Sequence, residues 1–182
     1  MKPDLTDPPR AVLDILSRAA NEKKSPWRWP VLVTRGEAYP GARMLVVRAF
    51  DRAGPSLELH TDARSAKTGE LARDPACALL FFDKGSMVQL RVDGRAGVLT
   101  GEAAREAFDR APEGSLTDYQ GLAPGDDPDA PESRDSADAR ANFAALHIRI
   151  ERADLLVIGR EGHERRFVDF TADPAAWRRA AP

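Results

Sequence analysis

In 87-MVQLRVDG-94 apolar and polar side chains alternate without a break, Val88, Leu90 and Val92 against Gln89, Arg91 and Asp93. A period of two fits only an extended strand with one face in a core. The alternation recurs in 56-SLELHT-61, with Leu57 and Leu59 opposing Glu58 and His60, and in 145-ALHIRIE-151, with Leu146, Ile148 and Ile150 opposing His147, Arg149 and Glu151. Further strands are predicted over 31–35, 43–50, 154–159 and 165–170, and strand character continues from Ala96 to Leu99. The run 76-ACALLFF-82 is apolar on both faces, as a central strand would be. The turn 51-DRAGP-55 closes a hairpin, and most other links are also short. No strand-helix-strand rhythm calls for a parallel sheet, so an antiparallel sheet or small barrel is expected.

Helical spacing appears in three places. Residues 8–24 open with prolines and repeat Val12, Ile15, Leu16 and Ala19 on one side. A short helix runs from about Ser65 to Arg73, stopped by Pro75 after Asp74. In 101–110, with Thr100 as the expected N-cap, Ala103, Ala104, Ala107 and Phe108 share a side. From about 112 to 140 the chain is crowded with Pro, Gly, Asp and Ser, which predicts a long polar loop or flap. The fold class is therefore mainly β with peripheral helices (α+β), in a single domain over residues 1–182.

Charge and composition remove several function classes. With 27 basic and 29 acidic residues the net charge is −2, so no global field draws the chain to nucleic acid or an anionic membrane. The one cysteine, Cys77, allows neither an internal disulfide nor a cysteine-built metal cage. His60, His147 and His163 lie far apart in sequence and outside any HExxH pair, so no metal site is expected. The N-terminus lacks the apolar run of a signal peptide, and no window approaches a membrane span, which makes a cytoplasmic location the expectation. There is no GxGxxG turn, no Walker-type phosphate loop and no GxSxG elbow. The acidic run from Asp126 to Asp138 lacks the Gly and terminal Glu of a calcium loop and reads as solvated linker.

The stretch 59-LHTDARSAK-67 joins a strand end to a helix start. Free N–H groups and the positive end of a helix dipole converge there, Arg64 and Lys67 flank the gap, and Thr61 and Ser65 add hydroxyl donors. Two readings fit: an anion site, or a helix capped by Ser65 or Asp62 with solvated cations. Arg43 on an earlier strand and Gln89 on a later polar face shift the balance toward a flat, phosphate-bearing cofactor.

Taken together, 43-RMLVVRAFD-51, 59-LHTDARSAK-67, 79-LLFFD-83 and 89-QLRVDGRA-96 resemble the FMN-binding split β-barrel family typified by pyridoxamine 5′-phosphate oxidase, with a weaker echo at 163-HERRF-167. The likeness covers roughly residues 30 to 100 and implies a homodimer with FMN at the subunit interface. By position it implies that Arg43 and Lys67 contact the FMN phosphate, that Met44, Leu45 and Val46 present backbone to the ring, and that His60 and Thr61 follow the ring and ribityl chain. Gln89 would hydrogen-bond the flavin, and Arg166 matches an arginine near it, with Arg165 an equally literal choice.

The departures from that family are specific. Ala66 stands where the oxidases carry a cation, so Arg64 and Ser65 are expected to complete the phosphate end. Arg48 stands for a substrate-touching lysine, and of the substrate-gripping set after the barrel strands only Ser115 is clearly kept. The substrate-side arginine and histidine fall on Gly162 and Glu164, and a ring-contacting tryptophan on Leu155 or Leu156. The resemblance thus implies an FMN-dependent oxidoreductase acting on an undefined small molecule, no side-chain catalyst being assigned. The alternative is a non-catalytic flavin, haem or deazaflavin binding protein.

Overall fold

The computed structural model describes residues 2–129 and 136–182. Its strands are β1 (Val31–Thr34), β2 (Gly41–Met44), β3 (Val47–Asp51), β4 (Ser56–Asp62), β5 (Ala76–Asp83), β6 (Val88–Thr100), β7 (Phe143–Val157), β8 (Glu164–Asp169) and β9 (Ala176–Ala180). The α-helices are α1 (Pro8–Asn21), α2 (Ala66–Arg73), α3 (Arg105–Asp109), α4 (Glu113–Leu116) and α5 (Ser136–Asn142). All strand pairs are antiparallel, in the order β2-β1-β5-β6-β7-β4-β3, with β8 on β7 and β9 on β8. The path ends at β2 and β3, so the sheet curls without closing, and the fold is mainly β with peripheral helices, as expected.

Helix α1 starts where Asp7 accepts a hydrogen bond from the Arg10 N–H at 3.2 Å, with Pro8 and Pro9 in the first turn. Its buried Val12, Ile15, Leu16 and Ala19 lie in the same core cluster as Leu32, Leu57, Leu59, Leu79, Leu90 and Leu146. It stops at Asn21, short of the expected Lys24, because Glu22 is already extended. Among the described residues no helix is long and apolar enough to cross a membrane.

Four differences from the sequence reading have physical causes. The expected strand 43–50 is two strands, because the chain changes partner at Leu45 and Val46: the Leu45 N–H donates to the Pro30 carbonyl and the Val47 N–H to that of Arg28. The two strands expected over 145–159 are the single β7, held in register with β6 by a bulge opposite Asp93 and Gly94 that leaves Glu151 over. Strand β9 went unread because 176-AWRRA-180 is an edge strand rich in arginine, paired among the described residues with β8 alone. Over 101–110 the chain begins as a 3₁₀ turn at Gly101–Ala104 before α3, and Thr100 makes no side-chain cap bond.

The bulge depends on a bare Cα. A Cβ at Gly94 would lie 2.2 Å from the Arg149 carbonyl oxygen and 3.3 Å from Ile148 Cγ2. Gly94→Ala should therefore cost about 1–3 kcal/mol, read as a lower Tm, whereas Gly97→Ala, whose nearest neighbour would be 3.8 Å away, should cost less. Equal melting temperatures for the two variants would refute the crowding argument.

The stretch expected as a polar loop over 112–140 is only partly that. It contains α4, a 3₁₀ turn at Thr117–Tyr119 and the start of α5, while 130–135 lie outside the described residues. Tyr119 and Ala139 join Ala104, Ala107, Phe143 and Ala145 in a second buried cluster, with Phe108 and Leu116 packed against it. Phe143 anchors it, meeting Phe108, Tyr119 and His60 edge to face at 5.3, 5.2 and 4.8 Å. This cap covers the outer face of β4 and β7.

Strand β5 is central in the sheet, but only one of its apolar faces is covered. Cys77, Leu79 and Phe81 are buried, whereas Leu80 and Phe82 are 37% and 47% exposed. Through the strand register they share a face with Val31 and Met44 on one side and with Gln89, Arg91, Asp154 and Leu156 on the other. Met44 is 61% exposed, so an apolar stripe crosses β2, β1 and β5 and borders a polar one on β6 and β7.

Candidate cofactor site

The turn between β4 and α2 is built by its own side chains. The Asp62 carboxylate accepts from the Arg64 backbone N–H at 2.7 Å and from its guanidinium at 2.7 and 3.0 Å. Ser65 Oγ donates to the Asp62 carbonyl at 2.6 Å, and Thr68 Oγ1 to the Ala63 carbonyl at 2.8 Å. Ser65 is the N-cap residue of α2 but makes no side-chain bond to the helix N–H groups. A plain cap with solvated cations is therefore not what forms. Arg64 also donates to the carbonyls of Gly121 and Leu122, at 2.8 and 3.3 Å, and so ties this turn to the cap.

Lys67 turns back over β4, its Nζ donating to Thr61 Oγ1 at 2.9 Å, and Thr61 Oγ1 lies 3.5 Å from Ser65 Oγ. Arg43 reaches the same region from β2. Its Nη2 donates to Glu70 Oε2 at 3.0 Å and its Nη1 to Thr34 Oγ1, while Thr34 donates to Glu70 at 2.5 Å. The structure thus brings together Arg43, Thr61, Ser65 and Lys67. It adds Thr34 and Glu70, which sequence reasoning missed although Glu70 follows Lys67 by three residues on one helix.

The charges here are unevenly matched. Arg43 is paired with Glu70 and Arg64 with Asp62, but among the described residues no carboxylate pairs with Lys67. Burial, and then the neighbouring Arg43, push the Lys67 ammonium below its usual range. Hydrogen bonding from Thr34 and from Arg43 holds Glu70 below the usual carboxylate range. A partly desolvated ammonium beside a guanidinium and two hydroxyls fits the phosphate of FMN, since an anion offsets the cost of burying the charge.

Other expected residues lie elsewhere. Within one chain Arg43 shares the face of Leu32 and Leu79, whereas Gln89 lies on the opposite, open face with Phe82, Leu80 and Met44. Leu45 and Val46 form the crossing between β2 and β3, beside the first cluster. His60 is buried under the cap; its Nε2 meets Glu58 at 3.0 Å, and its Nδ1 has no partner among the described residues. The hydrogen bond from His60 lowers the Glu58 pKa, helped by Arg110, which meets the other carboxylate oxygen at 3.0 Å. Arg48 follows Val47 at the β3 register shift, its Nε buried and unpartnered among the described residues. Ser115 lies in α4, donating to the Pro112 carbonyl at 2.7 Å.

Alternation along β8 separates the two arginines. Arg165 is on the Gln89 face and grips the buried Asp154 with two bonds of 2.7 and 2.8 Å. Arg166 is on the other face, 5% exposed, with Nη2 on Glu164 at 2.9 Å and Nε unpartnered among the described residues.

Residues 11–100 match the family described as pyridoxamine 5′-phosphate oxidase, FMN-binding domain. The chain is 30% identical over 79 residues to a pyridoxine/pyridoxamine 5′-phosphate oxidase of Bordetella petrii, covering 43% of this chain and 37% of that protein. It is 26% identical over 102 residues to the oxidase of the same name from Ehrlichia chaffeensis, covering 56% and 50%. In these two comparisons the chain spans from about a third to a half of the relatives' length. Among solved structures, a pyridoxamine 5′-phosphate oxidase-related, FMN-binding protein from Nostoc punctiforme superposes with a TM-score of 0.76 at 20% identity, over 95% of this chain and 96% of that one. PhzG from Burkholderia lata, solved with tetrahydrophenazine-1-carboxylic acid, gives 0.68 at 15% identity, over 97% and 93%. Fold and matched segment agree: residues 11–100 belong to the pyridoxamine 5′-phosphate oxidase-like FMN-binding domain family, with FMN as the cofactor.

Proposed function

We propose that the protein is an FMN-dependent oxidoreductase acting on a small molecule, working as a homodimer with FMN at the interface. The observation that carries this reading is Lys67, a partly buried ammonium beside Arg43 with no carboxylate partner among the described residues. Arg43 and Lys67 bind the FMN phosphate, with Thr61 as hydroxyl donor, while Ser65, through the Asp62 carbonyl, and Arg64, through the Asp62 carboxylate, brace the turn beside it. The backbone of Met44, Leu45 and Val46 lies against the ring. His60 follows the ribityl chain.

Gln89 and Arg43 leave opposite faces of the sheet, so a cofactor touching both either turns the edge at Leu45 and Val46 or takes one of them from a second copy. The exposed stripe of Met44, Leu80 and Phe82 beside Gln89 favours the second copy. Arg166, buried and with its Nε unpartnered among the described residues, then serves near the flavin. Arg48 and Ser115 serve the substrate side.

Bound FMN supplies the redox chemistry, taking up or giving a hydride or electrons. The chain's residues orient it, and the apolar stripe excludes water once covered. The substrate is proposed to differ from pyridoxamine 5′-phosphate, because Gly162 and Glu164 stand where the oxidases carry a substrate-side arginine and histidine. Those two positions also favour a second reading, a protein that holds flavin, haem or deazaflavin without turnover.

The test is the visible spectrum of the purified protein, followed by anaerobic mixing with NADH or NADPH. Flavin absorption that bleaches on mixing is expected. A stable flavin spectrum, or a haem one, would favour the second reading. A colourless protein that takes up no added FMN would overturn both the phosphate site and the activity built on it.

A further inference from the structure

Glu70 is out of place in an anion site. It lies one turn after Lys67, with its side chain only 13% exposed, and puts a carboxylate on Arg43, one of the two cations that bind phosphate. A carboxylate so close to a phosphate opposes binding through its charge, so its presence calls for a compensating role.

The bonding pattern supplies one. Thr34 Oγ1 and Glu70 Oε2 are 2.5 Å apart and accept from Nη1 and Nη2 of Arg43 respectively, so together they cover the outer edge of the guanidinium. Nη1 also lies 3.3 Å from the Gly41 carbonyl. The other edge, formed by Nε–H and the second Nη2–H, has no bond to the described residues. Those two N–H groups run parallel, in the geometry that grips two oxygens of one phosphate.

The backbone is shaped around the pair. Thr34 is 2% exposed at the end of β1, and a Cβ at Gly41 would fall 2.3 Å from Arg43 Nη2 and 3.1 Å from Glu70 Oε2. Position 41 therefore has to remain bare for the clasp to form.

We propose that Glu70 and Thr34 are positioning residues that hold the Arg43 guanidinium edge-on to the FMN phosphate; this deepens the phosphate-site reading above and rests on it. The loss of attraction caused by the carboxylate is outweighed by the rotamer entropy that Arg43 no longer gives up on binding. Position 70 accordingly needs an acceptor oxygen more than it needs a charge.

The experiment titrates the flavin-stripped full-length chain with FMN and with riboflavin, which lacks the phosphate, following flavin fluorescence. Glu70→Ala should weaken FMN binding about tenfold, the worth of a charge-assisted hydrogen bond, and leave riboflavin binding unchanged. Glu70→Gln keeps an acceptor and should bind FMN as tightly as the parent chain or more tightly. If Glu70→Ala binds FMN as well as the parent or better, Glu70 is only a repulsive neighbour and the proposal fails. If FMN and riboflavin weaken together, the effect is on the fold and the proposal fails. Lys67→Ala, run alongside, separates the levels: if it too leaves FMN binding unchanged, the phosphate site itself is wrong.

Discussion

Lys67→Ala weakens FMN binding by about ten- to a hundredfold, and Lys84→Ala leaves it unchanged. A hydrogen bond to a charged group is worth about 1.5–3 kcal/mol, and each 1.4 kcal/mol is a factor of ten in Kd. Lys67 belongs at the upper end because it is already partly desolvated beside Arg43 and so gives up little hydration on meeting a phosphate. Lys84 lies exposed in the turn between β5 and β6. Arg43→Ala should resemble Lys67→Ala, with an added loss because Glu70 and Thr34 are left without their common donor. Equal Kd values for the position 67 and position 84 variants, measured by flavin fluorescence, would remove the phosphate site from the account.

Phe82→Asp should convert a dimer into monomers without unfolding the chain. Phe82 is 47% exposed although its strand is hydrogen-bonded on both sides, and Leu80 and Met44 continue the apolar surface across β1 to β2. In a single chain an aspartate at this position meets water and costs little. Inside a subunit interface it is a carboxylate without a partner, which should weaken association by at least about a hundredfold. Sedimentation of the parent and the variant at the same concentration checks this, with circular dichroism confirming that the fold is kept. A parent chain that sediments as a monomer, or a variant that sediments with the parent, would sink the dimer.

The strands that alternate strictly were the legible part of the fold. Leu57, Leu59, Val88, Leu90, Val92, Leu146 and Ile148 are all buried, because a period of two leaves one face for a core. What could not be read depends on partners distant in sequence. Nothing local in 43–50 says that the chain changes neighbours at Leu45, and nothing in 145–159 says that a bulge opposite Gly94 keeps one strand running. In 76–82 the apolar residues on both faces were plain, but a sequence cannot say whether the second face is covered within the chain.

The candidate site divides in the same way. Arg43, Thr61, Ser65 and Lys67 were legible because three lie within one strand-to-helix turn and the fourth completes a motif order. Thr34 and Glu70 were not, because their contribution is to bond Arg43 across 9 and 27 positions of sequence. Arg64 was legible as a cation, but its engagement with Gly121 and Leu122 depends on a cap that the composition of 112–140 conceals.

That engagement has a consequence for how such a chain can diversify. Three bonds across this joint use main-chain atoms of the cap: Arg64 holds the carbonyls of Gly121 and Leu122, and the Ala63 N–H holds that of Asn142. A joint made to carbonyls does not depend on which side chains those residues carry. Substitutions at Gly121 and Leu122 can therefore accumulate without releasing these bonds, and the turn between β4 and α2 keeps its tie to the cap while the side chains of that segment change.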